Sequence, residues 1–236
     1  MRFSANALLF DSDETLVSSM KSVFRCWAQW ADTHGITVEE IIAVEPHGRP
    51  AAAIVADLLP ADQVARALAL LEQAEVDDAA AGGVAPIPGA KELLASLPAD
   101  RWAVVTSGTR RVAEARLAAA GVHAAHVITV DDVTRHKPDP EPFLTAARRL
   151  GVAPAECVAF EDSPAGLAAA RAAGMTTVAL TTTHKAADLD ADVVVPDLAA
   201  VSARTSDTGV HVTITVCEGN AEAQNTDERN GTGLRQ

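Results

Sequence analysis

A short apolar run at residues 7–10 most constrains the fold of this chain, because two carboxylates follow it almost at once. The run reads ALLF and continues into Asp11, with Asp13 two residues further on. A short apolar stretch that ends in turn-forming residues is typical of a fully buried parallel strand. Asp11 and Asp13 are therefore predicted at the carboxyl end of a strand, the edge at which open α/β sheets bind their ligands.

Two carboxylates held this close together repel each other unless a cation binds between them or one of them carries a proton. Mg²⁺ is the predicted cation, because it prefers carboxylate oxygens as ligands. These residues alone leave an alternative open, in which Asp11, Ser12 and Asp13 form only a helix cap and a turn.

From Ala90 onward, short apolar runs alternate with helical patterns, and this alternation predicts a parallel sheet. The predicted strands are Trp102–Thr106, Val127–Val130, Cys157–Phe160, Thr177–Leu180 and Val193–Val195. The predicted helices are Ala90–Leu97, Arg110–Ala120, Pro140–Leu150 and Pro164–Ala173. Asp139 and Ser163 are predicted to cap the last two helices. None of these runs leads into a glycine-rich nucleotide-binding loop.

Residues 17–82 differ from this pattern, because they are predicted to be almost entirely helical. The predicted helices cover residues 22–30, 51–59 and 61–79. The linker and turn residues at 82–83 and 86–89 mark the return to the alternating pattern. The predicted fold class is therefore α/β, a Rossmann-like parallel sheet core of residues 1–16 and 83–202 with an inserted all-helical block.

Residues 203–236 are predicted to form a polar carboxyl-terminal tail. Within it, residues 210–216 (VHVTITV) alternate between apolar and polar residues, as a half-buried edge strand does. The residues from Glu218 onward are rich in Asn, Gly, Glu and Thr, and we expect them to be disordered.

Composition argues against several classes of partner. The net charge of −13 disfavours nucleic acid and anionic membranes, and the aromatic content of 3% disfavours a base-stacking surface. The widely spaced Cys26, Cys157 and Cys217 indicate free thiols in a reducing compartment. No apolar run has the length of a signal peptide or a membrane span. We expect a soluble cytoplasmic protein, a monomer or weak homodimer.

Chemically active groups follow four of the predicted strands. The strand that ends at Thr106 leads into Ser107-Gly108-Thr109, whose hydroxyls and free backbone N–H groups suit an anion. Lys137 follows the next strand, and the residues 161–162 (Glu-Asp) follow the one after it. Singly, residues 106–109 could be an ordinary helix cap, Lys137 a solvated loop lysine and Glu161 a surface acid. Their joint occurrence at one edge of the sheet favours a functional site.

The chain resembles the haloacid dehalogenase superfamily of phosphatases, in the branch that holds β-phosphoglucomutase and the sugar- and polyol-phosphate phosphatases. The motifs that carry the resemblance are DSDETL at 11–16, VTSGTR at 105–110, KPDP at 137–140 and FEDSPAG at 160–166. They lie in a stretch from residue 7 to about 181. The resemblance implies the fold of that family, with residues 17–82 as an all-helical cap domain.

The resemblance also implies an enzyme, a Mg²⁺-dependent phosphatase that hydrolyses a small sugar or polyol phosphate monoester. Deoxysugar, hexose and glycerol phosphates are examples of such substrates. Asp11 would be the nucleophile that forms an aspartyl-phosphate, and Asp13 the general acid and base. Thr106 would hold the phosphoryl oxygens, and Lys137 would offset the negative charge.

The implied magnesium ligands are Asp11, the carbonyl of Asp13 and Asp162, with Glu161 close by. The residues implied in substrate binding are Thr15, His47, Gly48, Arg49, Ser107 and Gly108. For His47 and Arg49 an alternative stays open, because both could instead belong to a surface hinge.

Two residues depart from the family pattern. Glu14 stands where the pattern has glycine, which predicts backbone strain and a fifth acid near the metal. His136 replaces the glycine that usually precedes the motif lysine.

Two alternative functions stay open, a phosphosugar mutase of the β-phosphoglucomutase type and a phosphate-binding protein weakened by Glu14. Dehalogenation is disfavoured, because Asp13 supplies a leaving-group acid that carbon–halogen cleavage does not use.

Overall fold

The computed structural model describes residues 2–44, 50–205 and 212–216. Its strands are β1 (Arg2–Ala5), β2 (Ala7–Phe10), β3 (Val17–Ser18), β4 (Ala85–Pro86), β5 (Trp102–Val105), β6 (Val127–Ile128), β7 (Cys157–Glu161), β8 (Thr176–Leu180), β9 (Val193–Val195), β10 (Val201–Thr205) and β11 (Val212–Val216). Its helices are α1 (Met20–His34), α2 (Val38–Ala43), α3 (Ala51–Leu58), α4 (Ala61–Asp78), α5 (Ala90–Ala95), α6 (Arg110–Ala119), α7 (Glu141–Leu150) and α8 (Pro164–Ala172).

Six of the strands form one parallel sheet in the order β6-β5-β2-β7-β8-β9. Successive side chains of β2 enter opposite faces, so that Leu8 and Phe10 join one apolar cluster while Ala7 and Leu9 join another. Because helices cover both faces, a run with no polar residue is the expected sequence for this strand. The predicted α/β class is confirmed.

The two faces of the sheet are covered by different helices. Leu93 of α5 and Leu117 of α6 pack on the face of Phe10, and Phe143 of α7 and Ala169 of α8 pack on the other. The Phe10 ring stacks on Phe160 of β7 with a centroid distance of 4.7 Å. The buried layers therefore hold the central strands in register, and with them the residues at their carboxyl ends.

Helices α1 to α4 form a helical insert with an apolar cluster of its own. Trp30, Val55 and Leu71 are buried in this cluster. The Trp30 indole N–H donates a hydrogen bond of 3.0 Å to the carbonyl of Ala67, which ties α1 to α4. The insert thus has an interior distinct from that of the sheet.

The chain enters and leaves the helical insert at one place. Strand β3 pairs antiparallel with β4, with Val17 opposite Pro86 and Ser18 opposite Ala85. This short ladder was not predicted, because two-residue strands leave no periodic signal. Its strands lie within three residues of the predicted domain boundaries at 16/17 and 82/83.

The prediction of an edge strand at residues 210–216 is wrong in its placement. Strand β11 is the central strand of a three-stranded antiparallel sheet, between β1 and β10. Sequence reasoning missed β1, whose four residues are too few to reveal a strand by alternation. The predicted start of the tail at residue 203 falls inside β10. The residues predicted to be disordered, from 218 onward, lie outside the described ranges.

Most predicted elements differ from the structure by one to four residues at one end or both, and two of these differences have a clear local cause. Strand β6 ends at Ile128, two residues early, because the Thr129 side chain caps a single 3₁₀ turn at Val130–Asp132. Helix α7 begins one residue late, at Glu141, whose N–H donates to Asp139 Oδ1 at 2.9 Å. Asp139 therefore still satisfies a backbone donor of the first turn, although it is not the N-cap residue.

Helix α2 was not predicted, although its sequence carries a recognisable signal. The Thr37 side chain accepts from the Glu40 N–H, and the Glu40 carboxylate accepts from the Thr37 N–H, which together form a capping box. Ser163, by contrast, caps α8 as predicted, because its hydroxyl accepts from the Gly166 N–H at 3.1 Å.

Cys26 and Cys157 are both buried and unpaired. The third cysteine, Cys217, lies outside the described ranges.

Over the residues that the structure covers, no helix combines the length and the apolar character that a membrane crossing requires.

We expect Gly89→Ala to lower the free energy of unfolding by about 3 kcal/mol, from left-handed backbone strain together with overpacking. Gly89 has a φ of +81°, and an added Cβ would lie 2.3 Å from the backbone nitrogen of Ala199. Gly151→Ala is the matched control, because Gly151 has a φ of +67° but nothing within 4 Å of an added Cβ. Its loss should be only about 1 kcal/mol. Equal losses in urea unfolding would contradict the close contact at Ala199.

Candidate active site

Three buried carboxylates meet at the carboxyl ends of β2 and β7. Asp11 follows β2, Glu161 is the last residue of β7 and Asp162 follows it. One oxygen atom from each carboxylate lies within 4.8 Å of the others. Oxygen atoms of this kind at this spacing suit a divalent cation such as Mg²⁺ or Ca²⁺. The sequence motifs predicted this meeting, and the structure brings these three residues together.

Lys137 binds two of these carboxylates from the loop before α7. Its Nζ donates to Asp11 Oδ1 at 2.6 Å, to Glu161 Oε1 at 2.5 Å and to the carbonyl of Val105 at 2.8 Å. Burial would lower the pKa of Lys137, but the charges of Asp11 and Glu161 outweigh burial and hold that pKa above its ordinary value. The ammonium is therefore charged, with all three of its protons directed at the protein.

The carboxylates together carry more charge than Lys137 can neutralise. Burial raises the pKa of Asp11 well above its ordinary value despite the attraction of Lys137, and the charges of Glu161 and Asp162 add to this effect. Burial, followed by the charge of Glu161, raises the pKa of Asp162 to about 7. Three carboxylates facing one ammonium leave two negative charges, which is the charge that one divalent cation would compensate.

Glu161 is held by a set of hydrogen bonds on its second oxygen. Oε2 accepts from the Ser163 hydroxyl at 2.9 Å and from the backbone N–H of Asp162 at 3.2 Å. A Cβ on Gly166 would lie 1.9 Å from the Glu161 carboxyl carbon, so only glycine fits beneath it. The FEDSPAG motif thus supplies both the buried acid, Glu161, and the glycine, Gly166, that leaves room for its carboxyl group.

Asp162 receives hydroxyl groups on both of its oxygens. The Thr15 hydroxyl donates to Oδ1 at 3.4 Å, and the Thr183 hydroxyl donates to Oδ2 at 2.5 Å. Thr15 is fully buried, so its hydroxyl faces Asp162 and not an accessible surface. Sequence reasoning missed Thr183, although it follows β8 at the same edge of the sheet and could have been found by that criterion.

The loop after β5 caps helix α6, and it follows the strand next to β2, which leads into Asp11. The Gly108 N–H donates to the Thr106 hydroxyl oxygen at 3.0 Å, and the Thr109 side chain caps α6. Thr106 is buried, whereas Ser107 and Gly108 are half-buried. The loop lies next to Asp11, because β5 and β2 are neighbours in the sheet.

Asp13 lies outside the three-carboxylate group, with its side chain about one-third exposed. Its Oδ1 accepts from the Ser19 hydroxyl at 2.5 Å and from Arg116 Nη1 at 2.9 Å. Sequence reasoning missed Arg116, because an arginine within a helix is ordinarily a solvated residue. No local signal in the sequence distinguishes it from the other arginines of α6.

Glu14 does not bring a fifth acid to the metal-binding group, and this expectation is corrected. Its Oε1 accepts from the backbone N–H groups of Ser19 and Met20, both at 2.7 Å, at the start of α1. The carboxylate therefore satisfies unpaired N–H groups at a helix N-terminus, where negative charge is stabilised. The expected backbone strain is present, because Glu14 has a φ of 59°.

His136 is half-buried, and its Nδ1 is buried without a hydrogen-bond partner among the described residues. Nothing in the structure explains the replacement of glycine at this position. His47, Gly48 and Arg49, which were predicted to contact the substrate, lie outside the described residues.

Comparison with known proteins places these motifs in a family context. Residues 5–174 match a family model described as haloacid dehalogenase-like hydrolase. Hexitol phosphatase A of Escherichia coli (strain K12) is 39% identical over 176 residues, which cover 73% of this chain and 81% of that protein. Validoxylamine A 7'-phosphate phosphatase of Streptomyces hygroscopicus subsp. limoneus is 39% identical over 204 residues, or 82% of this chain and 94% of that protein.

Among solved structures, CbbY from Rhodobacter sphaeroides in complex with phosphate has a similar fold. It aligns with a TM-score of 0.71 and 27% sequence identity, over 83% of this chain and 95% of that chain. The similarity therefore extends beyond the sheet to most of the chain.

We expect Gly166→Ala to lower the free energy of unfolding by about 2 kcal/mol, because the new methyl group would displace Glu161. Helix propensity alone would give the opposite result, since alanine is favoured over glycine by about 1 kcal/mol inside a helix. In a Glu161→Ala background the same substitution should stabilise the protein, because the clash is gone. Urea unfolding of the four proteins measures this change of sign, and a stabilising effect in both backgrounds would contradict the close packing.

Proposed function

This chain belongs to the haloacid dehalogenase-like hydrolases, and we propose that it is the phosphatase of a small sugar or polyol phosphate. The observation that carries the proposal is the group of Asp11, Asp162 and Lys137 at one edge of the sheet. The names of the two similar proteins, a hexitol phosphatase and a validoxylamine A 7'-phosphate phosphatase, support a polyhydroxylated phosphate ester as the substrate class.

We assign the nucleophile to Asp11. A carboxylate oxygen of Asp11 would attack phosphorus, forming an oxygen–phosphorus bond while the bond to the substrate oxygen breaks. Asp13 would donate a proton to the departing oxygen, and the product would leave as an alcohol. Asp13 would then accept a proton from the water that attacks the aspartyl-phosphate. This second step releases inorganic phosphate and regenerates both carboxyl groups.

We assign Mg²⁺ to the oxygens of Asp11 and Asp162 and the backbone carbonyl of Asp13. When bound, the ion would stabilise the negative charge of the phosphoryl group, which is the main requirement in phosphoryl transfer. Glu161 is close by, but it is fully buried, and its Oε1 accepts from the Lys137 ammonium while its Oε2 accepts from the Ser163 hydroxyl. We therefore assign Glu161 the role of holding Lys137 in place.

The phosphoryl oxygens would bind between Lys137 and the loop after β5. Thr106, with the backbone N–H groups of Ser107 and Gly108, would contribute the neutral donors. Thr15 was expected to bind the substrate, but its buried hydroxyl supports a different role, the orientation of Asp162.

We propose that residues 17–82 form a cap domain that closes over the substrate and excludes water during the first step. The separate apolar cluster of the helical insert supports this division. His47, Gly48 and Arg49 would reach the substrate from the cap. Its two connections to the sheet core lie side by side, as hinged closure requires.

We further propose a cytoplasmic protein, a monomer or weak homodimer, whose partner is the small phosphorylated substrate. The buried unpaired thiols of Cys26 and Cys157 fit a reducing compartment. The net charge of −13 disfavours binding to nucleic acid and to anionic membranes.

The alternative of a weakened phosphate-binding protein rested on Glu14. The carboxylate of Glu14 accepts from backbone N–H groups at the start of α1 and does not join the group of Asp11, Glu161 and Asp162. We therefore favour turnover over simple binding. A phosphosugar mutase is distinguished in the same assay, because it yields an isomerised sugar phosphate in place of free phosphate.

We expect the protein with Mg²⁺ to release inorganic phosphate from hexitol, hexose or glycerol phosphates, and Asp11→Asn to reduce this activity about 10³-fold or more. Asparagine keeps the size of the side chain but removes the nucleophilic carboxylate. Asp139→Asn is the matched control, because asparagine can still accept from the Glu141 N–H, and it should retain activity. Full activity of Asp11→Asn would refute the assigned nucleophile.

We expect Mg²⁺ to raise the midpoint temperature of thermal unfolding more at about pH 8 than at about pH 5.5. The pKa of Asp162 is about 7 in the folded protein and 3.8 ordinarily, so the folded state holds a proton there that the unfolded state lacks. The metal-free protein therefore loses stability as the pH rises through 7, and a cation must displace this proton at low pH.

Asp162→Asn is the control for this pH dependence, because asparagine cannot titrate. Its midpoint should rise little with Mg²⁺ at either pH. A larger effect of Mg²⁺ at the lower pH, measured by differential scanning calorimetry, would contradict the assignment of Asp162 as a ligand.

A further inference from the structure

Arg116 is a buried arginine that bridges the sheet core and the helical insert. It lies in α6, with only 5% of its surface exposed. Nη1 donates to Asp13 Oδ1 at 2.9 Å, and Nη2 donates to Glu75 Oε1 of α4 at 3.0 Å. The guanidinium thus joins a residue of the candidate active site to a residue of the insert.

The contacts at Asp13 leave its two carboxylate oxygens in different states. Oδ1 accepts from both Arg116 and the Ser19 hydroxyl. Within residues 2–44 and 50–205, no hydrogen bond reaches Oδ2. A carboxyl group anchored through one oxygen presents the other in a fixed direction, which suits proton transfer to a bound substrate.

Stability does not explain the burial of Arg116, because removing its charge and polar groups from water costs free energy. Its Nε is buried and has no partner among the described residues, and Glu75 is itself buried. A buried ion pair with an unsatisfied donor is weak evidence of a stabilising role. A second hydrogen bond joins α4 to the start of α6, where the hydroxyl of the N-cap residue Thr109 donates to Glu72 Oε1 at 2.5 Å.

We propose that Arg116 is a positioning residue for Asp13. It holds the carboxyl group of Asp13 in the direction needed for proton transfer, and through Glu75 it makes that direction depend on the place of α4. This inference rests on the proposed function, and it extends the site to a residue that touches neither the substrate nor the metal.

The step that depends on this orientation is the transfer of one proton from Asp13 to the leaving group. As Asp11 bonds to phosphorus and the ester oxygen departs, the proton of Asp13 moves to that oxygen. An alkyl alcohol is a poor leaving group and needs the proton, whereas p-nitrophenolate leaves without it. The ratio kcat/KM reports only the steps up to the departure of the leaving group, so hydrolysis of the aspartyl-phosphate does not affect it.

The test compares kcat/KM for glycerol phosphate and for p-nitrophenyl phosphate. In Arg116→Gln we expect a fall of about 10²-fold for the alkyl ester and of about threefold or less for the aryl ester. Arg116→Lys keeps a cation and should recover part of the alkyl activity, and Glu75→Gln should show an intermediate loss. Adding Arg116→Gln to Asp13→Asn should cost no further activity, because Arg116 acts through Asp13.

Arg25→Gln is the matched control. Arg25 pairs with Asp78 within the insert, at 2.8 Å, and among the described residues its hydrogen bonds go to Asp78 alone. It should leave both kcat/KM values unchanged. An equal fall for both esters in Arg116→Gln, or no fall in either, would overturn the proposal.

A measurement without turnover separates this proposal from the proposed function. Hydrogen exchange of residues 13–19 should be faster in Arg116→Gln than in the wild-type protein and unchanged in Arg25→Gln. Unchanged exchange in Arg116→Gln would overturn the positioning role. Absence of phosphate release by the wild-type protein from either ester would instead refute the proposed function.

Discussion

The bonding of one buried ammonium group is the interaction on which the rest of the site depends. Lys137 directs its three protons at Val105 of β5, at Glu161 of β7 and at Asp11, which directly follows β2. A buried cation is tolerated only when its partners are in place, since each missing partner would leave an unpaired charge or dipole in the interior. The site therefore forms only when β5, β2 and β7 are in their native register, and the packing of Phe10 on Phe160 fixes two of those strands.

Neighbouring residues serve this arrangement in ways that do not involve chemistry on a substrate. Gly166 leaves room for the Glu161 carboxyl, Ser163 holds its second oxygen, and Thr183 holds Asp162. Glu14 satisfies the N-terminus of α1 at the cost of a positive φ, so the loop that carries Asp11 and Asp13 is tied to the first helix of the insert. The local strain at Glu14 is thus accompanied by two charge-assisted hydrogen bonds.

Sequence reasoning predicts the part of the site that follows from strand order and from motifs. Asp11, Lys137 and Asp162 each follow or precede an element with a clear pattern, and the carboxyl ends of parallel strands meet at one edge. Arg116 could not be found in this way, because its burial arises from the contact of α6 with α4, and long-range packing leaves no local pattern. The central place of β11 was missed for the same reason, since strand pairing between the two ends of the chain depends on residues about 200 positions apart.

The short ladder between β3 and β4 has a consequence for how such a protein can change over time. Because the two ends of the insert are adjacent, at Val17 and Pro86, the intervening segment could be exchanged for one of another length while the sheet keeps its register. If the proposed function holds, the groups assigned to the phosphoryl moiety would stay as they are, and the insert proposed to contact the remainder of the substrate would be replaced as a unit. On that proposal, a new specificity would be reached by substituting one contiguous stretch of the gene, provided that the new stretch also supplies a partner for the guanidinium of Arg116, as Glu75 does here.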